Sequence, residues 1–279
     1  MLVTTLVKSA LTTYHSNNIG LTSLTAQGWE SSEKLRKELF CWLSNSMKKL
    51  IVGFGDSWTF GSELDFPRDT PWLTQIATAM DADSVNMSTP ASSIGHLVVQ
   101  LFNFIKQDNY LGHKKVFMVG LSGLTRYLTY SNQLNEFVNI TPEANYRTGN
   151  IHHSGCPPEV VPEFRTLANE MYRMVESPAY NNFIATQTMF TFQEYCNHNN
   201  IDVIFFSYFD FPSIDDQLVD TGILYPTTIT RALTGQEYEL PAIRNNKYFE
   251  GKLFHPNING HTRIAELLKE FYDQKYPRH

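Results

Sequence analysis

The sequence has few cysteines and no block of basic residues, and each scarcity argues against a class of protein. Its 279 residues include three cysteines, far apart and without a Cys-x-x-Cys pair, so we predict free thiols rather than a disulfide framework. The His152-His153 pair with Cys156 matches no common zinc spacing, so no metal is predicted. The net charge of −6 argues against nucleic acid as a partner.

Long apolar runs are also missing. No uninterrupted run approaches the roughly 20 residues that a membrane-spanning helix needs. The first residues, MLVTTLVKSALTTYHSNN, carry Lys8 inside their apolar stretch and no convincing cleavage site, so no signal peptide is recognised. We therefore expect a soluble protein without membrane contact, located in the cytoplasm or associated with a virion.

What the sequence does have is enough apolar material for a sizeable core, with 42% hydrophobic and 13% aromatic residues. Residues 1–46 begin rich in Thr, Ser and Asn and then show a helical pattern from Ser31, which predicts an N-terminal extension with one helix. The main domain is predicted to occupy residues 47–279. Two segments too long for ordinary connections, about 131–160 and 211–250, are predicted to be insertions that shape a site.

The main domain alternates short apolar runs with amphipathic segments. This alternation predicts a mainly parallel sheet covered on both faces, that is, an α/β class protein with a three-layer α/β/α sandwich. The predicted strands are KLIVGFG, DSVNMS, KKVFMVGLS and IDVIFFSYFD, and the predicted helices are PWLTQIATAMDA (Trp72, Ile76 and Ala79 on one face), SIGHLVVQLFNFIKQ and NINGHTRIAELLKEFYDQKY.

The first predicted strand ends in Gly55-Asp56-Ser57, with Gly61 shortly after. Ligands of parallel sheets bind beyond the carboxyl ends of the strands, where Ser57 would lie. A serine there can attack a carbonyl and be helped by its own backbone N–H. Asp56 is expected to hold the turn or to contribute to substrate binding. The alternative is that Ser57 merely caps a helix.

A second candidate lies near the other end of the chain. His255, followed by Pro256 just before the last helix, is suited to take the proton of a serine nucleophile. His261 lies inside the predicted helix, and we expect it to make structural hydrogen bonds. Ser57 lies early in the chain and His255 lies late, and each is predicted on a loop at the edge of the sheet. Together they favour a serine nucleophile with a histidine base over two residues without a shared function.

These residues carry a resemblance to the SGNH, or GDSL-type, hydrolases, including those of phages and bacteria. Gly55-Asp56-Ser57-Trp58-Thr59-Phe60-Gly61 resembles the block with the nucleophile, and His255-Pro256-Asn257 through Gly260-His261 resembles the last block. Residues 86–93 and 120–123 are similar to the second and third blocks, which supply the oxyanion hole. The resemblance covers roughly residues 48–125 and 200–272. It implies a flavodoxin-like sheet, Ser57 as nucleophile and His255 as base, and no cofactor.

The chain departs from the family pattern in three places. Ala91 stands at the glycine of the second block, although its backbone N–H can still serve an oxyanion. Ser122 stands at the asparagine of the third block and can donate one hydrogen bond. Lys252 stands where the family places the aspartate that orients the histidine.

Several residues are candidates to compensate for these departures. Glu250 is our first candidate for the orienting acid, and a Ser–His dyad using a backbone carbonyl is the alternative. Arg126 is predicted either to assist at the substrate site or to form an ordinary ion pair, and Tyr208 either to line the site or to pack in the core. Four further acids precede the histidine: Asp210, Asp215, Asp216 and Asp220.

The resemblance implies a serine esterase that hydrolyses a small acyl ester, with an O-acetyl group on a carbohydrate as the first candidate. The predicted partner is a small-molecule or glycan ester. The main alternative is a catalytically degenerate SGNH fold that serves as a binding or structural module, for instance in a virion. A lipid esterase or thioesterase is less favoured, because the predicted insertions are polar and rich in asparagine.

Overall fold

The computed structural model describes residues 48–65, 71–107, 110, 112–123, 126–131, 135–140, 166, 170, 177–209, 212–236, 243, 246–250 and 255–277. The chain divides into two units, Met1–Met47 and Lys48–His279, and every described residue belongs to the second. The predicted N-terminal extension and its helix therefore lie outside the described residues.

The centre of the domain is a parallel sheet of four strands. In chain order the strands of the domain are β1 (Lys49–Phe54), β2 (Ala82–Asn86), β3 (Lys114–Leu121), β4 (Tyr127–Ser131), β5 (Glu136–Ile140), β6 (Asp202–Ser207), β7 (Phe249–Glu250) and β8 (His255–Pro256). The central sheet has the order β2-β1-β3-β6, and all its neighbouring strands are parallel. The pairs β4–β5 and β7–β8 form separate antiparallel ladders.

Helices connect and cover these strands. They are α1 (Ser57–Phe60), α2 (Trp72–Ala79), α3 (Ile94–Ile105), α4 (Pro178–Asn199), α5 (Ile229–Thr234) and α6 (Ile258–Lys275), with a short 3₁₀ turn at Thr221–Ile223. Side-chain caps stop fraying at several starts: Ser93 caps α3, Ser177 caps α4 and Asn257 caps α6.

The sheet separates two apolar cores. On β1, Leu50, Val52 and Phe54 point toward α3 and α4, whereas Ile51 points toward α2 and α6. Because successive side chains of a strand alternate between faces, a strand buried on both sides reads as one continuous apolar run. The predicted three-layer α/β/α sandwich with a mainly parallel sheet is thus confirmed.

Two details of the helices differ from the sequence-based predictions. The 22-residue helix α4 was not predicted, because its buried face mixes Thr186 and Gln193 with apolar residues while Phe183 on its other face is exposed. The regular apolar stripe that signals a surface helix is therefore absent. In α2, Ala79 is exposed, and Met80 rather than Ala79 continues the buried face below Ile76.

The two predicted insertions are described only in part. Within 131–160, the structure describes the last residue of β4 and the whole of β5, and within 211–250 it describes the 3₁₀ turn, α5 and β7. Their role in shaping a site remains a prediction. Within the part of the chain that the structure describes, no helix is long and apolar enough to cross a membrane.

Helix α6 packs closely at its first turn, and this contact yields a testable prediction. A Cβ added to Gly260 would lie 2.3 Å from the Tyr248 carbonyl oxygen and 2.9 Å from Pro256 Cβ. We expect Gly260→Ala to lower the free energy of unfolding by about 1–3 kcal/mol through overpacking. Urea denaturation measures this change.

The matched control is Gly95→Ala, in the first turn of α3. The nearest atom to a Cβ there is Leu128 Cβ at 3.5 Å, an ordinary contact distance. Because alanine favours helix over glycine, we expect this variant to be as stable as the parent or more stable, by up to about 1 kcal/mol. Equal losses in the two variants would contradict the packing explanation.

Candidate active site

The turn that follows β1 presents Ser57 at the carboxyl end of the sheet. Asp56 caps the short helix α1 by accepting a hydrogen bond from the Trp58 N–H at 3.0 Å, and Gly61 ends the helix with a φ of 83°. Gly55 has no room for a side chain, since a Cβ would lie 2.0 Å from Thr59 Oγ1. The chain therefore reverses direction within a few residues of the buried strand, with Ser57 in the first turn of α1.

Gln100 of α3 bonds the backbone of the same turn. Its Oε1 accepts a hydrogen bond from Gly55 N–H at 3.0 Å, and its Nε2 donates to the Gly55 carbonyl oxygen at 2.9 Å. Nε2 also donates to Ser92 Oγ at 2.9 Å. Gln100 is almost fully buried, so these bonds satisfy a polar group inside the core while fixing the backbone next to the turn. Sequence analysis did not identify this residue, because a single glutamine within an amphipathic helix carries no motif.

Asp56 and Arg126 form an ion pair under the turn. The Arg126 guanidinium donates from Nη1 to Asp56 Oδ2 at 2.7 Å and to the Ser92 carbonyl oxygen at 3.3 Å. The Asp56 side chain is fully buried, and the Arg126 side chain is 17% exposed. The ion pair that was one of the two alternatives for Arg126 is therefore formed, and its partner is Asp56. A contribution of Asp56 or Arg126 to substrate binding stays a prediction.

His255 meets this turn from the opposite end of the chain. It lies on β8, which pairs with β7 so that His255 stands opposite Glu250. The Cα atoms of α1 and β8 approach to within 8 Å of each other, so the segment carrying Ser57 contacts the segment carrying His255. The His255 side chain is 8% exposed, and its Nδ1 lies 2.8 Å from Glu63 Oε2.

The carboxylate that the structure places on the histidine ring is thus Glu63. The side chain of Glu250, the first candidate for the orienting acid, lies outside the described part of the structure, so its role stays a prediction. Asp215 accepts a hydrogen bond from Gln217 N–H, and Asp220 accepts one from Gly222 N–H. Those two acids make local turn contacts, and Asp216 is exposed.

Glu63 carried no signal in the sequence. It stands 192 positions from His255 in the chain, in a segment without a motif of its own. The one local indication appears only in the backbone, since Glu63 has a φ of 69°. A non-glycine residue in this left-handed region carries strain of about 1 kcal/mol or more, and such residues cluster at functional sites.

Two further residues lie where an oxyanion hole is predicted. Ser122 follows the end of β3, is buried, and its hydroxyl has no hydrogen-bond partner among the described residues. Ala91 has a φ of 61°, the left-handed conformation that favours the glycine of the family pattern. Thr89 N–H donates to Gly55 O at 3.2 Å, which draws the segment carrying Ala91 to the turn.

Tyr208 does not line the site. Its side chain is fully buried, and its hydroxyl shares a hydrogen bond of 2.6 Å with Thr59 Oγ1. Its ring packs 5.1 Å from the ring of Trp58. Burial raises the pKa of the Tyr208 hydroxyl well above its ordinary value, so the group stays neutral. The alternative prediction for Tyr208, core packing beneath the turn, describes its position.

His261 takes the structural role that the sequence analysis favoured. Its Nδ1 accepts a hydrogen bond from Trp72 N–H at 3.2 Å, which joins α6 to the start of α2. Burial, with a smaller contribution from nearby His255, lowers the pKa of His261 to about 3. The ring is therefore neutral at physiological pH and adds no charge beside His255.

One groove of the domain lies away from this site, and no metal cluster is found among the residues that the structure describes. Among the described residues, no group of three or more His, Cys, Asp or Glu side chains is arranged to hold a metal ion. A groove of about 550 Å³ lies at the amino end of the sheet, where Leu50, Asp83 and His113 line it. Since sites of parallel α/β sheets lie at the carboxyl ends of strands, the turn at Ser57 is the better candidate.

Comparison with known proteins gives distant structural similarities. No protein-family model matches the chain, and no curated protein matches it. A lipolytic protein of the G-D-S-L family from Veillonella parvula is similar at 14% identity, with a TM-score of 0.33 and coverage of 80% of this chain and 97% of that one.

Two further solved structures are similar at comparable levels. A GDSL-like lipase from Parabacteroides merdae has 13% identity and a TM-score of 0.39, over 81% of this chain and 97% of that one. A carbohydrate esterase family 2 enzyme with a carbohydrate binding domain, from Corynascus thermopiles (Myceliophthora fergusii), has 16% identity and a TM-score of 0.39, over 83% and 67%.

The buried ion pair under the turn predicts a specific pattern of stability. Arg126→Met leaves the Asp56 carboxylate buried without its partner, so we expect the free energy of unfolding to fall by about 3 kcal/mol. Asp56→Asn keeps the cap on Trp58 N–H and removes the charge. The double variant should therefore lose less than Arg126→Met alone.

Urea denaturation of the two single variants and the double variant forms a double-mutant cycle that measures this coupling. A double variant that loses the sum of the two single losses would show that the pair is not coupled.

Proposed function

We propose that the protein is a serine ester hydrolase of the SGNH kind, with Ser57 as nucleophile and His255 as general base and acid. One observation carries the proposal: the turn with Ser57 contacts the strand with His255, whose Nδ1 is already paired with a carboxylate. Nearly two hundred positions separate the two residues in sequence. Their meeting at the carboxyl end of a parallel sheet is the arrangement that serine nucleophiles need.

The tautomer of His255 suits this chemistry. A carboxylate only accepts hydrogen bonds, so Nδ1 carries the proton that is donated to Glu63 Oε2. The neutral ring then has its lone pair on Nε2. That nitrogen is the base available to a hydroxyl on the other side of the ring.

The proposed reaction has two steps. Ser57 Oγ forms a bond to the carbonyl carbon while its proton passes to His255 Nε2, and collapse of the tetrahedral intermediate breaks the ester C–O bond as the alcohol leaves with that proton. Water then attacks the acyl-enzyme and gives a proton to Nε2. This proton returns to Ser57 Oγ as the carboxylic acid departs.

The oxyanion of each intermediate is assigned to three donors, the backbone N–H groups of Ser57 and Ala91 and the hydroxyl of Ser122. The support is that the Ser122 hydroxyl is buried without a partner among the described residues, which leaves a hydrogen bond to be made. The left-handed backbone at Ala91 reproduces the conformation of a glycine at that position.

The proposed substrate is a small acyl ester on a polar molecule, with a carbohydrate O-acetyl ester as the first candidate. Three buried polar residues near the turn are Ser88, Ser92 and Ser122. Of the large apolar side chains that are exposed in the described part of the chain, only Ile258 belongs to a segment of the site. Among the described residues this favours a short acyl group over a long acyl chain.

Replacement of the nucleophile tests the proposal. Ser57→Ala should abolish hydrolysis of a nitrophenyl acetate ester and of an acetylated oligosaccharide, and should abolish labelling by a fluorophosphonate probe. Ser213→Ala, at an exposed serine whose backbone N–H donates to Asn182 Oδ1 of α4, should keep both properties. If folded parent protein takes no label and hydrolyses neither ester, the degenerate binding or structural module is the correct function; activity surviving in Ser57→Ala would remove Ser57 from the mechanism.

Replacement of Ser122 gives a second prediction, in which activity falls while stability does not. Ser122→Ala removes a buried hydroxyl that lacks a partner among the described residues, so the free energy of unfolding should stay equal or rise. Loss of an oxyanion donor should lower kcat by about 10²–10³-fold. Denaturation and steady-state kinetics on one preparation measure both, and a stability loss with unchanged kcat would assign Ser122 a structural role instead.

A further inference from the structure

We infer that Glu63 is the residue that orients His255, so that the acid of the catalytic triad comes from the same turn as the nucleophile. This inference rests on the proposed function. The family pattern places the acid three residues before the histidine, where this chain has Lys252. Here the carboxylate stands six residues after Ser57 and reaches His255 from the other side of the site.

The contact has the geometry of an orienting hydrogen bond. Glu63 Oε2 lies 2.8 Å from His255 Nδ1, within the range of a charge-assisted bond. The histidine side chain is 8% exposed and the glutamate side chain 25% exposed, so the imidazole is shielded from water while the carboxylate is partly open to it. A carboxylate at Nδ1 holds the ring in the tautomer with a basic Nε2 and stabilises the imidazolium that forms when Ser57 loses its proton.

The backbone of the turn holds Glu63 at a fixed distance from the nucleophile. Ser62 N–H donates to the Ser57 carbonyl oxygen at 2.9 Å, and Leu64 N–H donates to the Gly61 carbonyl oxygen at 3.2 Å. Glu63 lies between these two bonded residues, in the left-handed conformation with a φ of 69°. This conformation turns the chain back on itself and is the geometry in which the carboxylate meets the ring.

The nearer acid in sequence is already engaged elsewhere. Asp56 stands beside Ser57, but its two oxygens accept from Trp58 N–H and from Arg126, and its side chain is fully buried. The turn thus carries two acids with separate contacts: Asp56 faces inward to a guanidinium and Glu63 faces the imidazole. This chain has Lys252 where the family pattern has an acid on the histidine segment. The carboxylate beside His255 comes instead from Glu63, on the segment that carries Ser57.

The first test is the tautomer of His255, measured by ¹⁵N NMR on histidine-labelled protein, with His255→Ala used to assign the signal among nine histidines. In the parent protein, the neutral form of the ring should carry its proton on Nδ1. Glu63→Gln should lose this tautomer preference, because an amide can present an N–H to the ring as well as an oxygen. Asp65→Asn, which removes an exposed charge two residues away, should leave the signal unchanged.

The second test is kinetic. Glu63→Gln should lower kcat by about 10²–10⁴-fold while KM stays within about twofold, because the acid acts through His255 and does not touch the substrate. Asp65→Asn should keep the parent kcat. Glu63→Gly should remain folded, since glycine adopts a φ of 69° without strain, and added formate should restore part of its lost activity by occupying the carboxylate position.

The outcomes separate this inference from the proposed function. If Ser57→Ala is inactive while Glu63→Gln keeps the parent kcat and the Nδ1–H tautomer, Glu63 is not the orienting acid and the esterase proposal stands. If Ser57→Ala keeps full activity, the esterase mechanism fails, and the tautomer in Glu63→Gln still decides whether Glu63 positions the ring. An equal fall of kcat in Glu63→Gln and Asp65→Asn would point to general electrostatics and overturn the inference.

Discussion

The ion pair between Asp56 and Arg126 is the constraint on which the rest of the site depends. A fully buried carboxylate is tolerated only when it is paired and hydrogen-bonded, and Asp56 meets both conditions through Arg126 and Trp58 N–H. The same guanidinium bonds the Ser92 carbonyl oxygen. A single guanidinium therefore ties together the segments that follow β1, β2 and β3 in the chain.

Around this pair, neutral hydrogen bonds fix the remaining backbone. Gln100 bonds both backbone groups of Gly55, and Asn86 donates to the Thr59 carbonyl oxygen at 3.0 Å. Each of these side chains comes from a different element, so the turn is held from several sides. Catalytic serines need such support, because misplacement of a nucleophile by about 1 Å lowers rates by orders of magnitude.

The sequence was sufficient for the sheet and for the two ends of the site, and insufficient for the contacts between them. Strands such as KKVFMVGLS could be predicted because burial on both faces demands an unbroken apolar run. Ala91 could be placed at a glycine position, and its positive φ agrees with that register. The partners Glu63 and Gln100 could not be assigned, because each acts on a residue that is distant in sequence and belongs to no local pattern. An ion pair was predicted as one alternative for Arg126, but its partner Asp56 was not. Helix α4 was not predicted for another reason, because its buried face contains polar residues and the sequence therefore shows no periodic apolar pattern.

In the proposed mechanism, the location of Glu63 determines which parts of the chain must be aligned for catalysis. Ser57 and Glu63 belong to one hydrogen-bonded turn, so their mutual geometry is set locally and early in the chain. His255 must then be brought between them by the C-terminal elements, and the Asn257 N–H bond to the Tyr248 carbonyl oxygen, together with the tight contact at Gly260, fixes the strand that carries it. In the family pattern, the acid and the histidine lie on one segment, and packing must bring the serine to them. Here Ser57 and Glu63 lie on one segment, and packing must bring His255 to them. The packing of α6 on the sheet therefore completes the proposed site.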